Sequence, residues 1–427
     1  MRIKISNIGK IKEADVAING IIVIAGENNT GKSTVGKALY AIFNSFVDVA
    51  KKVEEERIDS LQRSIFTFLQ EISGSNMGFP QVDGNALAAK LNDIKNEINK
   101  EKIIQVLADE LNLKTSVIEN NYSRLEPSIN NILRVLSVAN DNYLKILVQK
   151  NFSEEFNQQI NNILENTNGE INLTIKQNVS SVKFDDNIVV FVNKQLDIFS
   201  DAIYLDDPFI LDERPSHGFF ATFFNSKGKF YRHKDKLGDL IYKQVESNNL
   251  VDKIVIEERL QKIIDKVHSA CRGRTFFKNN NDLMYQQDNN MKTAFKVANL
   301  STGLKTFVIL QTLLLSGAIK DGSLIILDEP EIHLHPEWQL LFAELIVMLQ
   351  KEFNLHILLN THSPYFLNAI EVFSEKYTVD DRCEYYLAYN KQDESYVKCV
   401  TGNVEEIYAK LARPLQRLEN LRYADDE

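Results

Sequence analysis

Cysteine is scarce in this chain, with three among 427 residues. Cys271, Cys383 and Cys399 form no C-x-x-C pair and no even set, which excludes a disulfide framework and leads us to expect a reduced, cytoplasmic protein. A surplus of positive charge is missing too. The formal net charge is −10, which excludes a general nucleic-acid binder and leaves room only for a local basic patch. No apolar run is long. The longest, FVILQTLLLSGAI from Phe307 to Ile319, is too short and too polar-flanked to span a bilayer, so no membrane partner is expected. The N-terminal MRIKISNIGK starts in strand-like alternation rather than in the apolar core of a signal segment. The rest is ordinary: 44% apolar and 25% charged residues, a globular balance with material for a sizeable core. The length allows two or three domains, or one large elaborated one.

Against that background one stretch stands out, VIAGENNTGKSTVGKAL at residues 23–39. It fits G-x-x-x-x-G-K-[ST] through Gly26, Gly31, Lys32 and Ser33, with Asn28, Asn29 and Thr30 inside the loop and Thr34 just after it. Glycines let successive backbone N–H groups turn inward and form a concave anion site. The helix that follows adds the positive end of its dipole. In this chemistry the lysine reaches the β- and γ-phosphates of ATP and the Ser33 hydroxyl ligates Mg²⁺. The β-branched GIIVIA before the loop, and Val35, Ala38, Leu39, Ile42, Phe43 and Phe46 at helical spacing after it, predict the required strand–loop–helix context.

A phosphate loop needs a carboxylate across the site, and SLIILDEPEIHLHPEWQ (323–339) offers one. Its continuous apolar run reads as a strand buried on both faces of a parallel sheet, with Asp328 and Glu329 at the carboxyl end where such sheets bind ligands. Asp328 suits Mg²⁺, held through water, and Glu329 suits polarisation of the attacking water. Two further stretches follow the same logic. NLSTGLKTFVILQTLLLSGA (299–318) is a polar turn opening an apolar helix, in which Ser301 is also good N-cap chemistry. HILLNTHSP (356–364) is a second buried strand, ending in Thr361, His362 and Ser363.

Strand, phosphate loop, L-S-x-G helix, D-E strand and strand-ending histidine stand here in the order of the ABC-type ATPases. The chain resembles the branch that holds RecF, the SMC heads and the overcoming-lysogenization-defect (OLD) family, and EPEIHLHPEWQ is closest to the OLD type. The resemblance covers residues 1–50 and 291–370. It implies an α/β head that pairs head-to-tail around ATP as a homodimer or higher even oligomer. Ser301 and the backbone of Gly303 would then bind the γ-phosphate held by the opposite subunit, and His362 would sense that phosphate. His333 and His335 belong to the OLD-like motif; no metal is expected on them, because no further ligand cluster accompanies the pair. The signature reads Leu300-Ser301-Thr302-Gly303-Leu304 rather than the transporter L-S-G-G-Q. No clear glutamine-bearing loop is visible, although AIYLDDPFILDE (202–213) sits where one is expected. By analogy Asn7 to Lys12 should line the base pocket.

The head is split by a long insertion. We expect residues 1–50 and 291–427 to form its two ends, 51–168 a helical insertion, 169–245 a strand-rich part completing the antiparallel portion, and 246–290 a helix and strand connector. Leu87, Leu91, Ile94 and Ile98 make a seam too short for a long coiled coil, which predicts packed helices. KGKFYRHKDK (227–236) and, more weakly, CRGRTFFK (271–278) mix basic and aromatic residues and are candidate nucleic-acid contacts. VEEIYAKLARPLQRLENLRY near the C-terminus predicts an amphipathic helix interrupted at Pro414. The OLD enzymes carry a metal-dependent nuclease after the head; the residues beyond His362 are too few for one, so no intrinsic nuclease is expected. The expected function is an ATP-binding and hydrolysing switch that regulates a separate nuclease subunit in bacterial anti-phage defence. The rival is a RecF/SMC-like ATPase that repairs or tethers DNA.

Overall fold

The computed structural model describes residues 1–73, 83–95, 99–164, 168–194, 196–198, 200–212, 232–242, 250–278, 282–288 and 294–424. The chain divides into two units, one formed by 1–47, 151–216 and 231–427, the other by 48–150 and 217–230. The first is α/β. Its strands are β1 (Arg2–Ile8), β2 (Ile11–Ala17), β3 (Ile21–Gly26), β4 (Gly169–Ile175), β5 (Asn178–Asp185), β6 (Ile188–Asn193), β7 (Ile203–Leu205), β8 (Gly273–Lys278), β9 (Asp282–Gln287), β10 (Ala294–Lys296), β11 (Leu324–Asp328), β12 (His356–Thr361), β13 (Cys383–Lys391) and β14 (Glu394–Cys399).

Eleven of these form one sheet in the order β6-β5-β4-β1-β2-β14-β13-β3-β12-β11-β7, and β8 to β10 form a small sheet of their own. From β13 through β3, β12 and β11 to β7 the strands run parallel. The strands β2, β1, β4, β5 and β6 continue the sheet antiparallel. Burial follows from this topology. Every residue of β3 and β11 is buried, because layers cover both faces, whereas β1 alternates buried with exposed positions as a strand with one wet face does. On one face Ile325 and Leu327 join a core with Phe307 of the helix Thr302–Leu315 and Phe342 of the helix Pro336–Phe353. Those two rings meet edge to face at 5.7 Å. On the other face Gly36, in the helix Lys32–Ser45, packs against Ile326 and Tyr204. The parallel strands therefore end together, and β3 and β11 carry their polar successors to the same edge.

The second unit is helical, with Val49–Ser73, Gly84–Asp93, Lys100–Glu110, Thr115–Asn120 and Tyr122–Ser137 around a core that includes Leu61, Phe68, Leu87, Leu91, Ile129 and Ile132. Asp83 accepts from the backbone N–H of Asn85 and Asn99 from that of Lys102, capping two of these helices. The helix bearing Leu87 and Leu91 stops at Asp93, and Ile98 lies outside the described residues. The helical stretch runs on to Glu155 and β4 begins at Gly169.

One expectation needs correction. Segment 169–245 is not uniformly an antiparallel, strand-rich piece: β7 lies parallel beside β11, and His233–Tyr242 is a helix, its Leu237 and Ile241 buried at helical spacing. Near the C-terminus the chain forms Glu405–Leu411 and then Arg413–Ala424, with Pro414 in the first turn of the second helix, where its missing N–H costs least. Among the described residues no helix is long and apolar enough to cross a membrane.

Candidate active site

The loop after β3 turns on two left-handed residues, Asn29 (φ +62°) and Gly31 (φ +81°). At Gly31 a side chain is barred twice, by the backbone angle and by Ile11, whose Cδ1 would lie 2.5 Å from an added Cβ. The loop is braced from outside. Thr30 Oγ1 donates to the Glu27 carbonyl at 2.8 Å, and Lys10 Nζ and Asn390 Nδ2 donate to the Asn29 carbonyl at 3.0 and 3.2 Å. Asn28 and Asn29 are exposed, Thr30 is buried, and Ser33 and Thr34 are half-buried in the first turn of the helix. No side chain caps that helix and its first turn carries no acid, so its N–H donors and dipole face outward uncancelled. The β1–β2 turn lies alongside, with Gly9 against Thr34.

Lys32 is 4% exposed. Its Nζ donates to the carbonyls of Gly26 and Glu27 at 3.0 and 2.9 Å and lies 3.5 Å from Glu329 Oε1. The same Glu329 oxygen is 3.4 Å from His362 Nδ1. Three of the residues read from separate motifs thus meet at one carboxylate. The sheet arranges this: Asp328 pairs with Asn360 and Asn360 with Ile24, so the ends of β11, β12 and β3 are level. Glu329 leaves its strand with φ +50°, a left-handed conformation that costs a non-glycine residue about 1 kcal/mol or more. Its N–H is held by the Asn360 carbonyl at 2.9 Å.

Asp328 is nearly buried and has both oxygens engaged. Tyr204 donates to Oδ2 at 2.9 Å and Asn360 Nδ2 to Oδ1 at 2.9 Å. A carboxylate oxygen so held still has a free lone pair. Glu331, two residues past Glu329, is also buried. It accepts a hydrogen bond from Thr361 Oγ1 while its Oε2 has no partner, and burial pushes its carboxyl above the usual range. Tyr204, Asn360 and Glu331 escaped the sequence reading, although each lies in a stretch it had marked.

Ser301 and Gly303 belong to a separate group. Ser301 precedes the helix Thr302–Leu315, exposed and making no side-chain cap bond, so the capping role open to it in the sequence is not the one seen. Gly303 sits under the next motif: an added Cβ would lie 2.9 Å from the His333 carbonyl and 3.2 Å from the Trp338 ring. Lys305, two residues on, is buried and ion-paired with Asp212 at 2.5 Å. His335 precedes the helix Pro336–Phe353, and His333 meets the Phe209 ring edge-on.

The basic patch at 227–236 is described only in part. Residues 227–231 lie outside the described ones. In the remainder Arg232 pairs with Glu154, Lys234 with Asp206 and Asp207, and Lys236 with Asp201. His233 is buried between Glu155 and Asp206. Cations matched by local carboxylates have little field left for a phosphate backbone.

A triphosphate with Mg²⁺ fits these residues. The loop turns on the left-handed Asn29 and Gly31 at the open N-terminus of the helix, the buried ammonium lies at its base, and the Ser33 hydroxyl with the Asp328 carboxylate is a hard oxygen set suited to Mg²⁺. Fold and site together define a P-loop ATPase of the AAA/ABC-like class. The chain belongs to the family described as "AAA domain, putative AbiEii toxin, Type IV TA system", whose model matches residues 21–368. It is also similar, at 10% identity, to three solved structures. These are the SMC head domain from Thermotoga maritima (TM-score 0.39; 93% of this chain and 98% of that one covered), the SmcHead bound to the C-winged helix domain of ScpA (0.41; 95% and 98%), and the Smc head domain with an extended coiled coil bound to the C-terminal domain of ScpA derived from Pyrococcus furiosus (0.34; 99% and 98%). Those likenesses are distant, and the family assignment rests on the sequence match.

Proposed function

We propose that the chain is an ABC-type switch ATPase that pairs around ATP and controls a separate nuclease in bacterial anti-phage defence. The observation that carries the ATPase part is the meeting of Lys32, Glu329 and His362, with Lys32 Nζ 3.5 Å and His362 Nδ1 3.4 Å from one Glu329 oxygen. In this reading Lys32 exchanges its loop carbonyls for phosphate oxygens, and Glu329, freed from the ammonium, takes the proton of the attacking water. His362 hydrogen-bonds the γ-phosphate. Ser33 and Asp328 would hold Mg²⁺, which would supply positive charge to offset that of the reacting triphosphate. The exposed Ser301, its hydroxyl uncommitted to a cap, and the donors of Gly303 complete the site of a second copy. The words "toxin" and "system" in the family description favour a chain that works with another component over a solitary housekeeping enzyme.

Glu329→Gln tests both halves. It keeps size and loses basicity, so turnover should fall by about 10²-fold or more while ATP now drives a stable dimer seen by sedimentation. Unaltered turnover removes Glu329 as the base. A variant that hydrolyses slowly, binds ATP and stays monomeric at every concentration overturns the pairing.

A further inference from the structure

We propose that Tyr204 and His233 are positioning residues that fix the Asp328 carboxylate for Mg²⁺; this rests on the reading of Asp328 as the metal-binding carboxylate. Tyr204 stands on β7, beside β11, where Tyr204 pairs with Ile326. It is 1% exposed, and its hydroxyl donates to Asp328 Oδ2 at 2.9 Å. With Asn360 on Oδ1, the carboxylate can neither rotate nor swing toward Lys32. A metal site gains affinity when an outer layer of hydrogen bonds has already fixed its ligand.

What holds Tyr204 is the second part. Its ring lies against the His233 ring, centroids 4.4 Å apart and planes 38° apart. Tyr40 meets the Tyr204 ring edge-on at 5.9 Å, and Gly36 closes on the phenol from the nucleotide-binding helix. His233 is locked in turn. Nδ1 lies 2.7 Å from Glu155 Oε2 and Nε2 lies 3.0 Å from Asp206 Oδ2, while its backbone N–H donates to Glu155 Oε1 at 2.6 Å. A ring with a carboxylate on each nitrogen donates twice and is an imidazolium. That cation against the phenol face is attractive and withdraws electron density from the ring, which makes the hydroxyl a stronger donor to Asp328. Asp206 is two residues beyond Tyr204, so one short segment supplies both the phenol and an anchor for the histidine.

Tyr204→Phe keeps the ring and its packing and deletes only the donor. Nucleotide affinity measured in EDTA with a fluorescent ATP analogue should not change. The affinity of the nucleotide complex for Mn²⁺, read by electron paramagnetic resonance, should fall about 10-fold or more, and the Mg²⁺ concentration for half-maximal turnover should rise in step. His233→Gln should shift Mn²⁺ affinity in the same direction, and the double variant should be no worse than Tyr204→Phe alone, because the two act through one bond. Asp328→Asn separates the two levels. If it weakens Mn²⁺ binding and Tyr204→Phe does not, the positioning proposal is overturned and the metal reading stands. If Asp328→Asn leaves Mn²⁺ binding intact, both fall. A His233→Gln protein that is folded, by circular dichroism, and has parental Mn²⁺ affinity removes His233 from the pair.

Discussion

Lys32 holds two carbonyls and faces Glu329, and Lys32→Ala is expected to lose nucleotide binding by at least 100-fold in an equilibrium titration, since the site loses its buried cation. Unchanged ATP affinity would remove the loop from the nucleotide site. His233 makes a prediction about pH. Burial alone would lower its pKa, but hydrogen bonds with Asp206 and Glu155 outweigh that and raise it to about 9. A folded-state pKa above the unfolded value near 6.5 means that the ion pairs stabilise fully below about pH 6.5. The contribution is then lost as pH rises through about 9. The groups facing this ring are Glu155, Asp206, Tyr40 and Tyr204, with Lys234 sharing Asp206. The melting temperature of the parent should exceed that of His233→Gln most at pH 6 and converge on it above pH 9. A difference that is constant with pH would show that the carboxylates are not paired to a charged histidine.

Elements decide what each residue can reach, and they explain what the sequence revealed. Strand β3, its loop and the helix Lys32–Ser45 were legible because their signals are local: an apolar run, glycines and a helical phase. Asp328 and Glu329 were legible for the same reason. Tyr204 was not, because its hydrogen bond to Asp328 spans 124 residues and exists only once β7 lies beside β11; in sequence it is one more apolar-looking position in a strand. His233 was misread within a basic stretch because Glu155, 78 residues away, and Asp206, 27 away, become its neighbours only in the fold. The helix Thr302–Leu315 gives a test at this scale. Ser301→Arg should leave binding of ATP to the protomer largely intact and lower turnover, because in the proposed pairing the bulk would face the second copy. Mixed with Lys32→Ala protein it should recover one working site per dimer, formed by the intact loop of the Ser301→Arg chain and the intact turn of the other. Heterodimers that form without any rescue would count against action in trans.

At the scale of the molecule the question is whether one chain carries both the switch and the cutting chemistry. Metal-dependent phosphodiester cleavage needs several carboxylates held at ligand distance by a supporting shell. Among the described carboxylates of the first unit, Asp328 and Glu329 belong to the nucleotide site in the reading proposed above, Glu155 and Asp206 face His233, and Glu331 and Glu344 are turned inward on Thr361 and on Lys266, Lys376 and Tyr377. Asp380 and Asp381 lie exposed on a single turn, Asp380–Arg382, ahead of β13 rather than at the carboxyl end of a strand. Among the described residues no group of three or more His, Cys, Asp or Glu is placed to hold a metal ion. On the division of labour proposed above, the purified chain is expected to hydrolyse ATP and to leave single- and double-stranded DNA and RNA intact with Mg²⁺ or Mn²⁺. Cleavage should appear only when a copurifying nuclease is added back, and its dependence on ATP should be lost with Lys32→Ala. Cutting by the chain alone that survives rigorous purification and disappears when Asp380 and Asp381 are both replaced by Asn would place the nuclease in this molecule and overturn the division of labour.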